Sequence, residues 1–119
     1  MLESIADAPD GVIAMRAVGE FTIDDYLDVV EPQVHELDGG HADLRLVLEL
    51  GSEFTGFGDG AWGDLTDEIR HTHFHRGAVV TDDRFIRTGI DVLKWTLHGH
   101  VRTFGTDELE HALRWVAHR

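Results

Sequence analysis

The chain has no cysteine, two prolines, one tyrosine, and a single lysine (Lys94) among its ten basic residues. Without cysteine there are no disulfides, no thiol nucleophile and no thiolate-ligated metal. No apolar run approaches the roughly 20 residues that span a bilayer. The opening Met1-Leu2-Glu3-Ser4 has neither the basic start nor the apolar core of a secretory signal. A cytoplasmic location is therefore expected. Positive charge is just as scarce, with 23 acidic residues against ten basic and a net charge of −13. Such a field repels phosphate backbones, which argues against nucleic acid, and it disfavours peripheral contact with anionic membranes. A Gly-x-Ser-x-Gly elbow, a Walker loop and a dinucleotide fingerprint are all missing. Gly56-Phe57-Gly58-Asp59-Gly60 is glycine-rich but lacks the lysine and spacing of a phosphate loop. No cofactor and no enzymatic activity are expected.

What is present reads as one α/β domain over residues 1–119. The 42% hydrophobic share of the 119 residues suffices for a core. Leu44 to Leu50 and Gly77 to Thr81 read as strands bracketing a helix from Asp59 to His75 that carries Ala61, Trp62, Leu65 and Ile69 at helical spacing. A strand, a crossover helix and a strand make the βαβ unit of a parallel sheet. Met1 to Ala6 and Val12 to Phe21 read as two further strands, joined as a hairpin by the turn residues Pro9, Asp10 and Gly11. Thr22 fits an N-cap ahead of Asp24 and Asp25. The following apolar stripe, Ile23, Tyr26, Leu27, Val30, Val34 and Leu37, contains Pro32, which should kink or split the helix near Val29. A helix from Asp83 to Leu97, a last strand around Val101 to Phe104 and a final helix capped by Thr106 complete a β-β-α-β-α-β-α-β-α order. The expected fold is a mixed, mostly parallel five-stranded sheet packed by four helices.

Within that order particular residues look familiar. Met1-Leu2-Glu3, Gly19 with the Thr22–Tyr26 segment, and Pro32 resemble the opening of the SpoIIAA-like (STAS/SEC14-type) family. Leu46 to Leu50, Phe54 with Gly56, Ala61-Trp62 with Asp64 and Leu65, and Ala78 to Asp82 extend the resemblance. Val101 to Phe104 and Ala112 to Val116 carry it nearly to the end of the chain. The resemblance implies the sheet described above and no activity. STAS domains serve as interaction modules, some switched by phosphorylation of a serine where the helix after the third strand begins. SEC14-type domains hold an apolar ligand beneath mobile helices. The usual Asp-Ser-Ser-Gly-like switch motif is absent, and Ser52 and Thr55 are the nearest hydroxyls to its place. We take them as ordinary loop groups.

Two constellations merit weighing. On a helix reaching His75, Asp64, Glu68, His71 and His75 fall at i, i+4, i+7 and i+11, a shared face whose histidine and carboxylate groups suit zinc. The competing reading, which we prefer, is the solvated side of an amphipathic helix. An extended segment near His73 would instead set the histidines along a strand. The second constellation is apolar: Phe54, Phe57, Trp62, Phe85, Ile86, Leu93 and Trp95 border the glycine loop and the two helices that follow sheet strands. They form either a partner surface or the lining of a ligand site. Phe85 and Trp95 lie off the core stripe, and the preferred reading has them widening a buried face; Trp115 poses the same question. The functional expectation is a non-catalytic regulatory or protein-interaction module, with a homodimer as one arrangement. The alternative is a carrier or sensor of a small apolar, lipid-like molecule held beneath the helices.

Overall fold

The computed structural model describes residues 1–118, His41 by its backbone alone. Its main sheet has the order β1-β2-β4-β6-β7. β1 (Leu2–Ser4) runs antiparallel to β2 (Ile13–Ala17). β4 (Arg45–Leu50), β6 (His73–Thr81) and β7 (His98–Phe104) then follow in parallel. The strands from β2 to β7 succeed one another in a single direction across the sheet. Right-handed crossovers that all step the same way put every connecting helix on the same face. That face carries α1 (Ile23–Asp25), α2 (Glu31–Val34), α3 (Ala61–Arg70) and α4 (Arg84–Leu93), which share one core with Met15, Leu48 and Phe74. The opposite face is left to α5 (Leu109–Ala117), whose Ala112 and Val116 pack on Val47, Ala78, Val80 and Phe104. Counting α1 and α2 as the one interrupted helix that they form, this is the expected mixed five-stranded sheet with four helices.

The departures from expectation have local causes. The anticipated strand from Val12 to Phe21 breaks at Val18, just ahead of Gly19, whose φ of 69° is open to glycine. Beyond the break, β3 (Gly19–Phe21) leaves the main sheet and pairs in parallel with β5 (Phe54–Phe57), so the glycine loop contains a strand. Thr22 caps α1 as expected, in a reciprocal capping box with Asp25. The helix is interrupted just ahead of Pro32 by a π-helical turn, Tyr26–Val30. The proline lacks an amide donor and its ring crowds the carbonyl one turn back, which accounts for the interruption. The turn keeps Tyr26 and Val30 inward and leaves Leu27 outside.

Asp83 caps α4 through a hydrogen bond from the Ile86 amide, 3.0 Å. Thr106 does not cap the last helix. Its hydroxyl donates to Asp82, and Glu108 accepts from the Gly105 amide to close the turn at Thr106–Glu108. The helix expected to reach His75 ends at Arg70, and β6 begins at His73.

Candidate functional site

On the three-helix face the apolar side chains do not meet completely. A cavity of about 90 Å³ lies between the sheet and the helices. Its floor is Leu46, Leu48, Gly77, Val79 and Val101, and its roof is Trp62, Leu65 and Ile69 from α3 with Ile90 and Leu93 from α4. Tyr26 and Val30 close one side. Gly77 helps to leave the space, because a Cβ there would only reach ordinary contact with Phe74, 3.6 Å, and Val101, 3.9 Å. An apolar void of this size stays dry, since water would find few polar partners.

Trp62 stands on the outer side of this cavity, as do Thr66 and Leu93. It also lines a surface groove between α3 and α4, together with Thr66, Arg70, Phe85, Thr88, Gly89, Val92 and Leu93. Gly89 makes room for the indole: a Cβ at that position would stand 3.0 Å from Trp62 Cζ2. On its other side the indole meets Phe57 edge-on, 5.2 Å between centroids, and Phe57 in turn packs on Phe54 and Phe21.

The apolar constellation read from the sequence is thus divided. Trp62 and Leu93 line the cavity and the groove, Phe85 the groove alone, and Ile86 is core. Phe54 and Phe57 buttress Trp62 from the β3–β5 ribbon without lining the cavity. The expected burial of Phe85 and Trp95 is corrected. Phe85 is 79% exposed and Val92 71% on the outer side of α4, and Trp95 is 84% exposed in the 3-10 turn Lys94–Thr96 that follows it, an apolar ridge over α4 and its end. The spacing of seven keeps Phe85 and Val92 on one helical stripe, opposite Ile86 and Ile90, and Trp95 stands just beyond its end. Trp115 does pack, over Phe104 and beneath the Arg76 guanidinium.

Sequence reasoning missed Tyr26, Gly77 and Gly89. Tyr26 is 2% exposed, and its hydroxyl has no hydrogen-bond partner among the described residues. Burial, then the charges of Glu31 and Glu68, push its pKa up. The signal was a lone tyrosine on a buried stripe beside a helix-breaking proline.

The other constellation does not assemble. With α3 ending at Arg70, His71 stands at its C-terminus, where it is close to Asp67, and His75 lies on β6. The shared helical face for Asp64, Glu68, His71 and His75 therefore does not exist. His75 instead borders a recess with Asp10, Asp38, Asp43 and Arg45. Desolvation and the Arg45 and Arg76 guanidiniums hold His75 below its usual pKa, and that same positive charge opposes a cation. Among the described residues no group of three or more histidine and acidic side chains is arranged to hold a metal ion. His73 is stacked on His98 across β6 and β7, 4.5 Å between centroids. Ser52 and Thr55 are exposed, and the helix start that the resemblance implies for them lies further on, at Ala61. No helix among the described residues is long and apolar enough to cross a membrane.

No curated protein matches the chain. A solved structure of an uncharacterised protein from the DUF3478 family, with a SpoIIAA-like fold, from Shewanella loihica PV-4, superposes with a TM-score of 0.66. It is 24% identical, and the match covers 98% of this chain and 90% of that one. The SpoIIAA-like family model matches residues 12–117. The chain, with its singly covered crossovers and its lone helix on the reverse face, belongs to the SpoIIAA-like family.

Proposed function

We propose that this domain acts without catalysis, as a carrier or sensor of a small apolar molecule held between the sheet and α3 and α4. The observation that carries this reading is the cavity itself, lined almost wholly by hydrocarbon and bordered by a surface groove that shares Trp62, Thr66 and Leu93 with it. Cavities of about 150 Å³ with such linings admit benzene. The present one is smaller at about 90 Å³, so a guest of that size requires Trp62 to swing or α3 and α4 to part. Native and denaturing mass spectra of the protein from its source cells test the reading. An extra mass that departs on denaturation supports it; a bare polypeptide in both spectra removes it.

The exposed ridge of Phe85, Val92 and Trp95 favours a second reading, an interaction module whose α4 face meets a protein partner or a second copy of the chain. Three large apolar side chains together on one ridge of a soluble surface lose free energy in water that an interface would recover. Sedimentation velocity of the protein and of Trp95→Ser tests the homodimeric form. A concentration-dependent dimer that the substitution abolishes supports it, and a monomer at all concentrations excludes it.

A further inference from the structure

We infer that the basic, apolar face of α4 binds a second copy of this chain, on the acidic outer side of that copy's turn Tyr26–Val30, with Leu27 as the apolar anchor. The inference rests on the interaction-module reading and narrows it to one partner and one surface.

Charge is divided unevenly over the helical side of the sheet. Residues 84–96, α4 and the turn after it, carry Arg84, Arg87 and Lys94 against Asp91 alone. Residues 23–34, from the start of α1 to the end of α2, carry Asp24, Asp25, Asp28 and Glu31 and no basic group. The chain has 23 acidic residues to ten basic, yet Arg70 and Arg84 are exposed and have no ion pair or hydrogen bond among the described residues. Arg70 borders the groove between α3 and α4. Arg84 opens α4, at the positive end of the helix dipole, where a cation costs stability instead of adding it.

The large apolar side chains left exposed among the described residues fall into the same two regions. Phe85, Val92 and Trp95 ride on the basic one. Leu27, 39% exposed, lies in the acidic one, on an outer stripe with the exposed Asp24 and Asp28. Met1 is beside it, its ammonium group on Asp25, 3.2 Å. Each region offers what the other lacks: apolar side chains rimmed by cations, and an apolar side chain between carboxylates. Pairing α4 with α4 would instead set Arg84, Arg87 and Lys94 of one copy against the same groups of the other. At physiological salt a screening length of about 8 Å lets these local pairs outweigh the repulsion between two net charges of −13. Both regions lie on the same side of the sheet, with α3 between them. Two copies facing each other therefore make the contact twice, about a twofold axis, and the assembly closes as a dimer.

Exchanging charge between the two surfaces tests this. Sedimentation velocity of the protein is expected to show a dimer. Arg84→Glu and Asp28→Arg should each weaken it at least tenfold, because each sets like charges together at both contacts. An equimolar mixture of the two variants should sediment as a dimer again, since one contact then joins the exchanged charges and the other is native. Recovery in the mixture also shows that both variants are folded. A dimer that Trp95→Ser abolishes but neither charge exchange weakens overturns the acidic surface as the partner and leaves the interaction-module reading standing. Variants that fail to recover when mixed overturn the pairing of Arg84 with Asp28. Growth beyond the dimer overturns the twofold closure. A monomer at every concentration overturns the inference and leaves only a different protein to cover α4.

Discussion

A phenol taken out of water and left without a partner destabilises the protein that contains it, and removing its oxygen should reverse the loss. Tyr26→Phe is expected to stabilise the unliganded protein by about 1 kcal/mol. In a chain of this length that raises the thermal midpoint by about 4 °C, measured by circular dichroism. The same residue sets an alkaline limit. Its folded pKa is raised by burial and by Glu31 and Glu68, whereas in the unfolded chain it titrates near its ordinary value of about 10. The stability linked to the neutral phenol is thus fully present below about pH 10 and is lost as pH rises toward the folded pKa. Base unfolding should begin in that range, with phenolate absorbance and circular dichroism changing together, and Tyr26→Phe should move it to higher pH. Independent changes in the two signals would mean that the phenol ionises in the folded state. Two glycines on neighbouring strands should behave oppositely. A Cβ at Gly99 would run into the Phe74 carbonyl oxygen, so Gly99→Ala forces backbone apart and should cost about 2 kcal/mol or more in urea unfolding. Gly77→Ala meets only ordinary contacts and should cost nothing or stabilise slightly, by up to about 1 kcal/mol.

The elements differ in how openly their residues declare them. β4 was legible because Leu44, Leu46, Leu48 and Leu50 alternate with Arg45, Val47 and Glu49, the period of two that a strand with one strongly apolar face requires. The caps at Thr22 and Asp83 were legible because a short oxygen-bearing side chain before an apolar stripe has one favoured use. The end of α3 was not. His71 and His75 continue the helical spacing of Asp64 and Glu68, while Thr72, Phe74 and the residues after them already alternate with period two. Only the pairing of β6 with β4 and β7 decides between the two periods, and it recruits His73 into the sheet. The ridge on α4 was misjudged for a related reason. A helical stripe shows which residues lie together, and Phe85 and Val92 do, with Trp95 just past the helix end, but the sheet beneath α4 is already filled by Ile86 and Ile90. The cavity was invisible because a void belongs to no residue. Its determinants, Gly77 in one strand and Gly89 opposite Trp62, come together only in the fold. Gly89→Ala should displace the indole and change tryptophan fluorescence, and because the roughly 1 kcal/mol that alanine gains over glycine inside a helix offsets the crowding, stability from urea unfolding should change by about 1 kcal/mol or less.

Across the whole molecule the excess of 13 negative charges is a cost of compaction, because folding brings together carboxylates that the unfolded chain keeps apart. Added sodium chloride should raise the thermal midpoint between about 0.01 and about 0.2 M, the range in which the screening length falls to roughly 10 Å and below. A midpoint that falls with salt would assign more weight to specific pairs such as Arg16 with Glu49. The sheet also works as a partition. Its reverse face is sealed by α5 on Ala78, Val80 and Phe104, while the void, Trp62 and the outer ridge all lie on the opposite side. Changes on opposite sides of such a wall combine nearly additively. Substitutions around α3 and α4 should therefore leave the stability that α5 and its footprint contribute nearly unchanged: α5 is a keel, and α3 and α4 are the part left free to be reshaped.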